Sequence, residues 1–360
     1  MRSAGGVRRT LVPAMAKTAV VLLNLGGPDR PEAVRPFLFN LFNDPAILGV
    51  PAPLRWLLAR AMSAWRMRKA REIYDRLGGG SPLLANTERQ AGALAEALAD
   101  LGDVRVFIAM RYWHPMSDET AARVKDFGPE DIVLLPLYPQ YSTTTTASSI
   151  REWRRAARRA GLTAPTRTVC CYPTEPGFVG ALAALVRRGI RDAGRGGKPR
   201  VLFSAHGLPK RVVARGDPYQ WQAETTAKAV VSALAMEDLD WVVCYQSRIG
   251  PLAWIGPATG EEVARAAADG VPVVMVPIAF VSEHSETLVE LDVEYARQAR
   301  ELGVPLYVRV PAVGTDAGFI EGLASLARRA RGADAALCSG EGGRLCPAAC
   351  RRCAYAVSLD

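Results

Sequence analysis

No apolar run in this 360-residue sequence approaches the ~20 residues that a membrane-spanning helix needs, which excludes a helical span. The opening stretch MRSAGGVRRTLVPAMAK is basic but has no apolar core of the secretory kind, so a cytoplasmic protein is expected. Met15 stands just before the first strand-like run, so residues 1–16 read as a disordered tail or the product of an upstream start. The first strand-like run ends in LNLGGPD, residues 23–29, without G-x-G-x-x-G spacing or an acidic ribose ligand about twenty residues on. No nucleotide cofactor is expected there. Gly26 and Gly27 read instead as room for the backbone to approach a ligand at a strand's C-terminal edge. The net charge of +9 is spread along the chain, and no nucleic-acid-binding signature accompanies it. Such a balance suits contact with an anionic surface.

What is present reads as an ordinary globular chain, 49% hydrophobic and 22% charged, long enough for two average domains. Strand-like runs fall at 18–23, 104–110, 132–137, 168–172, 201–203, 241–244, 273–280 and 306–310. Helical patterns lie between them, at 86–98, 148–159, 178–193 and 223–236 among others. Strands alternating with helices predict parallel sheets covered on both faces, either one large sheet or two of four strands. A break near 160–165 divides the chain into residues 17–162 and 163–330, followed by a Cys-rich tail, 331–360.

Residues 277–295, PIAFVSEHSETLVELDVEY, are the densest in chemistry. A buried strand is expected to give way to a helix with Ser282 at its N-cap. Glu286, Glu290 and Glu294 then share one face, with His284 beside them. Two readings stand: a solvated acidic helix, or a carboxylate ladder that handles protons or a hard cation. Only three histidines occur, and His114, His206 and His284 each sit beside a strand end, where α/β folds bind ligands. His206 with Glu286 is too sparse for a permanent zinc site but suits a metal in transit. Leu54, Leu57, Leu58, Ala61, Met62 and Trp65 make an amphipathic helix edged with arginine. Core packing is its default reading, and a membrane interface or an apolar anionic ligand its rival. Four of the seven cysteines are Cys338, Cys346, Cys350 and Cys353, whose clustering in a cytosolic chain points to metal before disulfide. Cys170, Cys171 and Cys244 lie in apolar, strand-like surroundings and read as buried and inert.

Seven stretches together resemble the ferrochelatase family: LNLGGP, YDRLGGGSP, RYWHP, LYPQYSTTT, LFSAHGLP, YQSRIGP-x-x-W-I-GP and PIAFVSEHSETLVELD. They run in order over nearly the whole chain. The resemblance implies two similar Rossmann-like domains, each a four-stranded parallel sheet flanked by helices, with a porphyrin cleft between them. It implies insertion of Fe2+ into a porphyrin, protoporphyrin IX or coproporphyrin III, with the four-Cys tail and apolar helix favouring the first. A cobalt chelatase shares the fold, but YDRLGGGSP and YPQYS favour iron. A non-enzymatic iron–sulfur carrier or haem sensor would leave His206 and the glutamates incidental.

Residue by residue, the resemblance makes His206 and Glu286 catalytic and transient ligands of the substrate iron. His284, Glu290 and Glu294 become a proton or metal relay. Leu25, Arg66, Lys69, Tyr74, Ser81, Arg111, Tyr112, Ser247 and Trp254 become porphyrin contacts. The helix 54–65 becomes an apolar lip at a membrane edge. In the family it resembles, some relatives hold a [2Fe–2S] cluster with a cysteine in the motif that here reads YPQYSTTTT, where this chain has Thr143. The tail's Cys338-x7-Cys346-x3-Cys350-x2-Cys353 then supplies all four ligands, with a structural zinc as the competing occupant.

Overall fold

The computed structural model describes residues 17–248, 250 and 252–357, so the expected tail of residues 1–16 lies outside the described residues. The first half runs β1 (Thr18–Asn24), α1 (Val34–Phe42), α2 (Ala52–Asp75), α3 (Leu83–Ala97), β2 (Val104–Met110), α4 (Ser117–Phe127), β3 (Asp131–Pro136), α5 (Thr146–Ala160) and β4 (Thr166–Val169). The second runs α6 (Pro176–Ala193), β5 (Arg200–His206), α7 (Lys210–Ala214), α8 (Tyr219–Leu234), β6 (Asp240–Gln246), α9 (Thr259–Ala268) and β7 (Val273–Pro277). A π-helix (Glu286–Tyr295), α10 (Ala296–Glu301), β8 (Tyr307–Arg309), α11 (Ala317–Arg331) and β9 (Leu337–Cys338) complete it.

All pairings between these strands are parallel, in the orders β2-β1-β3-β4-β9 and β6-β5-β7-β8. The second order repeats the first four strands of the first, so the two halves are alike. β1 is buried at every position, as a central parallel strand covered by helices on both faces must be. The expected α/β class stands, with three differences. The strand near 168 pairs with β3, so the first half extends past residue 162. The tail adds β9 to the first sheet, where Leu337 and Cys338 pair with Thr168 and Val169. The last long helix, α11, returns to pack on α3, α6, β3 and β4.

Two local expectations also change. Ser282 is buried and donates from Oγ to Gln90 Oε1 at 2.9 Å, so it is no N-cap. The helix begins at Glu286 and is π-wound over ten residues. The apolar face of α2 does not pack into a core. Its buried residues are Ala59, Ser63 and Tyr74, while Leu54, Leu57, Leu58 and Trp65 are exposed, Trp65 by 79%.

Candidate active site

The C-terminal edges of both sheets open onto one cavity of about 1170 Å³. β5 delivers His206 to its floor, and the chain must turn at once. A Cβ at Gly207 would lie 2.8 Å from the Gln246 carbonyl oxygen, so only glycine fits without a shift. His206 Nδ1 faces Glu286 Oε2, the first residue of the π-helix, at 2.7 Å. The pair lies deep in the molecule yet faces the open cavity, with 40% and 27% of the two side chains accessible.

Burial opposes a charged imidazole at His206, but the Glu286 carboxylate outweighs it and raises the pKa above its ordinary value. Burial opposes the charge on Glu286 too, and the imidazolium overcomes it, holding that carboxyl down at about 2. Glu290 behaves oppositely. Burial, then the neighbouring Glu286 charge, raises it, although Ser247 donates to it from both N–H and Oγ. Two carboxyls on one helix are thus pushed apart, the arrangement that separates a fixed anion from a proton carrier. His284 is held low by burial, and its Nδ1 accepts the Glu286 N–H at 3.0 Å. The neutral ring therefore carries its proton on Nε2. Ser247 stands at φ +61, a strained conformation at the point where it grips Glu290.

Leu25, Tyr112, Ser247, Trp254, His284, Glu290 and Glu294 all line the cavity, as do Arg66 and Lys69 on α2. The Trp254 indole N–H also belongs to a lining residue and has no hydrogen-bond partner among the described residues. A buried donor of that kind points to a ligand or water.

Three expected site residues stand elsewhere. Arg111 gives its guanidinium to Asp44 Oδ2 and Ser148 Oγ, each at 2.8 Å, and does not line the cavity. Asp44, buried and also bonded by the Tyr112 hydroxyl, is the anchor that sequence reading missed. Its Oδ1 caps Ala46 N at 2.7 Å and so fixes the loop bearing Ile47 and Leu48 over the cavity. Tyr74 is buried behind the lining, with burial pushing its hydroxyl up to about 12. Ser81 packs behind Gly27 and accepts the Leu83 N–H. His114 is on the surface with Glu119, 2.6 Å away, so two of the three histidines meet in the site. Arg211 and Arg248 line the cavity and were not anticipated.

A family model described as Ferrochelatase matches residues 17–331. The chain belongs to the ferrochelatase family. It is 55% identical over 342 residues to the ferrochelatase of Phenylobacterium zucineum, covering 94% of this chain and 98% of that one. With the ferrochelatase of Caulobacter vibrioides strain NA1000 it shares 55% over 315 residues, 87% of this chain and 90% of that one. The solved structure of SirB from Bacillus subtilis with Fe3+ superposes with a TM-score of 0.50 at 12% identity, covering 87% and 95% of the two chains. That likeness supports the two-sheet fold alone. Family membership makes the protein an enzyme, a metal chelatase with ferrous iron and a porphyrin as substrates.

In this member of the family the tail folds back against the first sheet. Cys346, Cys350 and Cys353 are buried together, with Trp221 and Tyr355 packed around them. The hydrogen-bonded contact between Cys346 and Cys353 sets their thiols apart, one pushed up and the other drawn down. Cys338 is apart, in β9, with its Sγ 3.5 Å from the Thr168 carbonyl oxygen. Cys170 and Cys171 are buried as expected, their sulfurs 3.5 Å apart, and Cys244 is buried in the other sheet. The donor set suits a soft metal. As folded, no three His, Cys, Asp or Glu side chains among the described residues are poised on one ion.

Proposed function

We propose that the protein inserts Fe2+ into protoporphyrin IX, with His206 and Glu286 at the reacting centre. The observation that carries this is the His206–Glu286 pair, 2.7 Å apart at the floor of a cavity with apolar walls and cations on α2. A porphyrin is a flat apolar disc whose propionates need a few fixed cations. Leu25 and Trp254 supply wall, and Arg66 and Lys69 supply charge near the propionates. Two pyrrole protons leave as Fe2+ trades water for the ring nitrogens. His206 in its neutral form takes a proton, and Glu286 stabilises the imidazolium that results. Glu286, ionised throughout the working range, offers the incoming cation an oxygen. Glu290, poised higher, then Glu294, carry protons along the π-helix towards solvent.

A second reading has support in Arg211 and Arg248. They line the cavity alongside Arg66 and Lys69, and four cations suit the four propionates of coproporphyrin III. The test is anaerobic insertion of Fe2+ into each porphyrin. A higher kcat/KM for protoporphyrin IX is expected, and the reverse ranking would establish the second reading. His206→Ala is expected to lower kcat by ~10²–10⁴ while the protein folds. Wild-type turnover in that variant would remove His206 from the mechanism.

Two finer features belong to the same reading. The exposed face of α2, with Leu57 and Trp65 outermost, is a lip that touches the surface of a membrane, where apolar porphyrins partition. No helix among the described residues is long and apolar enough to cross one. The four tail cysteines hold a [2Fe–2S] cluster, which supplies electron-transfer or sensing chemistry when bound. Support comes from three thiols buried together beside a buried amide donor, Gln222, with Cys338 in β9 of the same tail. Anaerobically purified protein should be red-brown with about two irons and two sulfides per chain, and Cys350→Ser should bleach it. Colourless protein with one zinc would reject the cluster, and surviving colour would point to Cys170 or Cys171 instead.

A further inference from the structure

Gln222 lies in the first half of α8 and is fully buried. Both ends of its amide are committed. Nε2 donates to Cys346 Sγ at 3.1 Å, and Oε1 accepts the Tyr141 N–H at 2.7 Å. Reversing the amide would leave two buried groups unsatisfied, so its orientation is fixed. Tyr141 belongs to the loop after β3, whose Gln140, Ser142, Thr144 and Thr145 line the cavity. One side chain therefore spans from a tail sulfur to the cleft wall.

The segment leading into α8 repeats the connection. Asp217 is buried. Its Oδ2 accepts from Ser142 Oγ at 3.0 Å and from Thr143 N and Oγ1 at 2.7 and 2.6 Å, and its Oδ1 accepts the Tyr219 N–H. The preceding Gly216 carbonyl accepts the Arg352 N–H at 3.0 Å. A Cβ at Gly216, whose φ is +97, would meet Arg351 N at 2.7 Å, so the tail is seated directly on this turn. Residues 216–222 thus have the tail on one side and the loop 140–145 on the other.

The geometry points to Gln222 as a positioning residue that couples the state of Cys346 to the shape of the porphyrin cleft. This rests on the reading of the cleft as the porphyrin site. It does not depend on what the tail sulfurs ligate, because the N–H···S bond needs only the sulfur. Coupling between two sites is reciprocal: a change at Cys346 that alters porphyrin affinity obliges porphyrin to alter the behaviour of Cys346.

The test is porphyrin affinity, read from quenching of porphyrin fluorescence, in wild type, Cys346→Ala, Gln222→Met and the double variant. Cys346→Ala should weaken binding by about fivefold or more in wild type. It should change binding by less than about twofold once Gln222 is methionine, since the link is already cut. An equal loss in both backgrounds, or none in either, overturns the proposal. Should Gln222→Met not fold, Gln222→Glu takes its place, since it keeps an acceptor for the Tyr141 N–H and removes the donor to Cys346 Sγ. Saturating porphyrin should slow iodoacetamide labelling of Cys346 several-fold more than that of Cys244, which is buried in the other sheet. Equal protection of the two sulfurs removes the coupling and leaves the cleft reading intact. A wild type that quenches no porphyrin removes both.

Discussion

At the scale of single residues, the site turns on two charges that hold each other. His206 is raised above its ordinary value because Glu286 outweighs burial, and Glu286 is lowered to about 2 by the imidazolium in return. A raised histidine contributes stability below its unfolded pKa of about 6.5 and loses it as pH rises through the folded value. A depressed carboxyl contributes above its unfolded value of about 4.3 and loses it as pH falls towards the folded one. The pair therefore stabilises most between those two unfolded values and fades on either side. Glu286→Gln leaves burial opposed at His206 only by the Glu290 charge, so the imidazole pKa should fall. With three histidines in the chain, the imidazole NMR signals can be followed through such a titration. The variant should keep porphyrin affinity and lose most metal insertion. An unmoved His206 titration would mean that Glu286 does not set its proton affinity. Both residues were legible in the sequence because each sits in a long distinctive stretch. Arg111 was expected as a porphyrin contact, but its guanidinium is given to Asp44 and Ser148 instead. Its actual partner, Asp44, lies 67 positions away, and nothing in local spacing announces that pairing.

At the scale of elements, the strands were readable and the special helices were not. Every apolar run became a strand to within a few residues, since a buried parallel strand has no solvent face to interrupt it. The π-helix escaped because Glu286, Glu290 and Glu294 keep the spacing of an α-helix. What holds it is remote: Arg309 on β8 forks onto Asp292 and also binds Glu283, bracketing the catalytic turn from both sides. α2 escaped for another reason. An amphipathic pattern says that a face will be covered, not by what, and here protein leaves Leu54, Leu57, Leu58 and Trp65 bare. If that face meets a membrane surface, Leu57→Glu with Trp65→Glu should abolish co-sedimentation with liposomes. Insertion into a soluble, detergent-free porphyrin should change little, since neither residue lines the cavity. Retained co-sedimentation would assign the apolar face to something else.

At the scale of the molecule, two look-alike halves share one interior. A single apolar cluster runs from Val20 and Leu22 in the first sheet, through Leu182 of α6 and Phe319 of α11, to Val201 and Val276 in the second. Strand–helix alternation and the break near 160–165 make two domains readable but hide this continuity, because helices that look local pack across the divide. α6 and α11 cross where side chains would not fit. A Cβ at Gly177 would stand 2.1 Å from the Gly318 carbonyl oxygen, a backbone atom that cannot step aside alone. A large apolar interface removes the independence that separate domains otherwise keep. Heating should therefore unfold both halves in one transition, with calorimetric and van't Hoff enthalpies in agreement. Gly177→Ala forces the two helices apart at the shared core. Overpacking of that kind costs about 1–3 kcal/mol. It should lower that one transition for both halves, with porphyrin binding and the far-UV signal lost together. Two resolved transitions, or an alanine variant as stable as wild type, would show that the halves stand on separate cores and that the helix crossing does not join them.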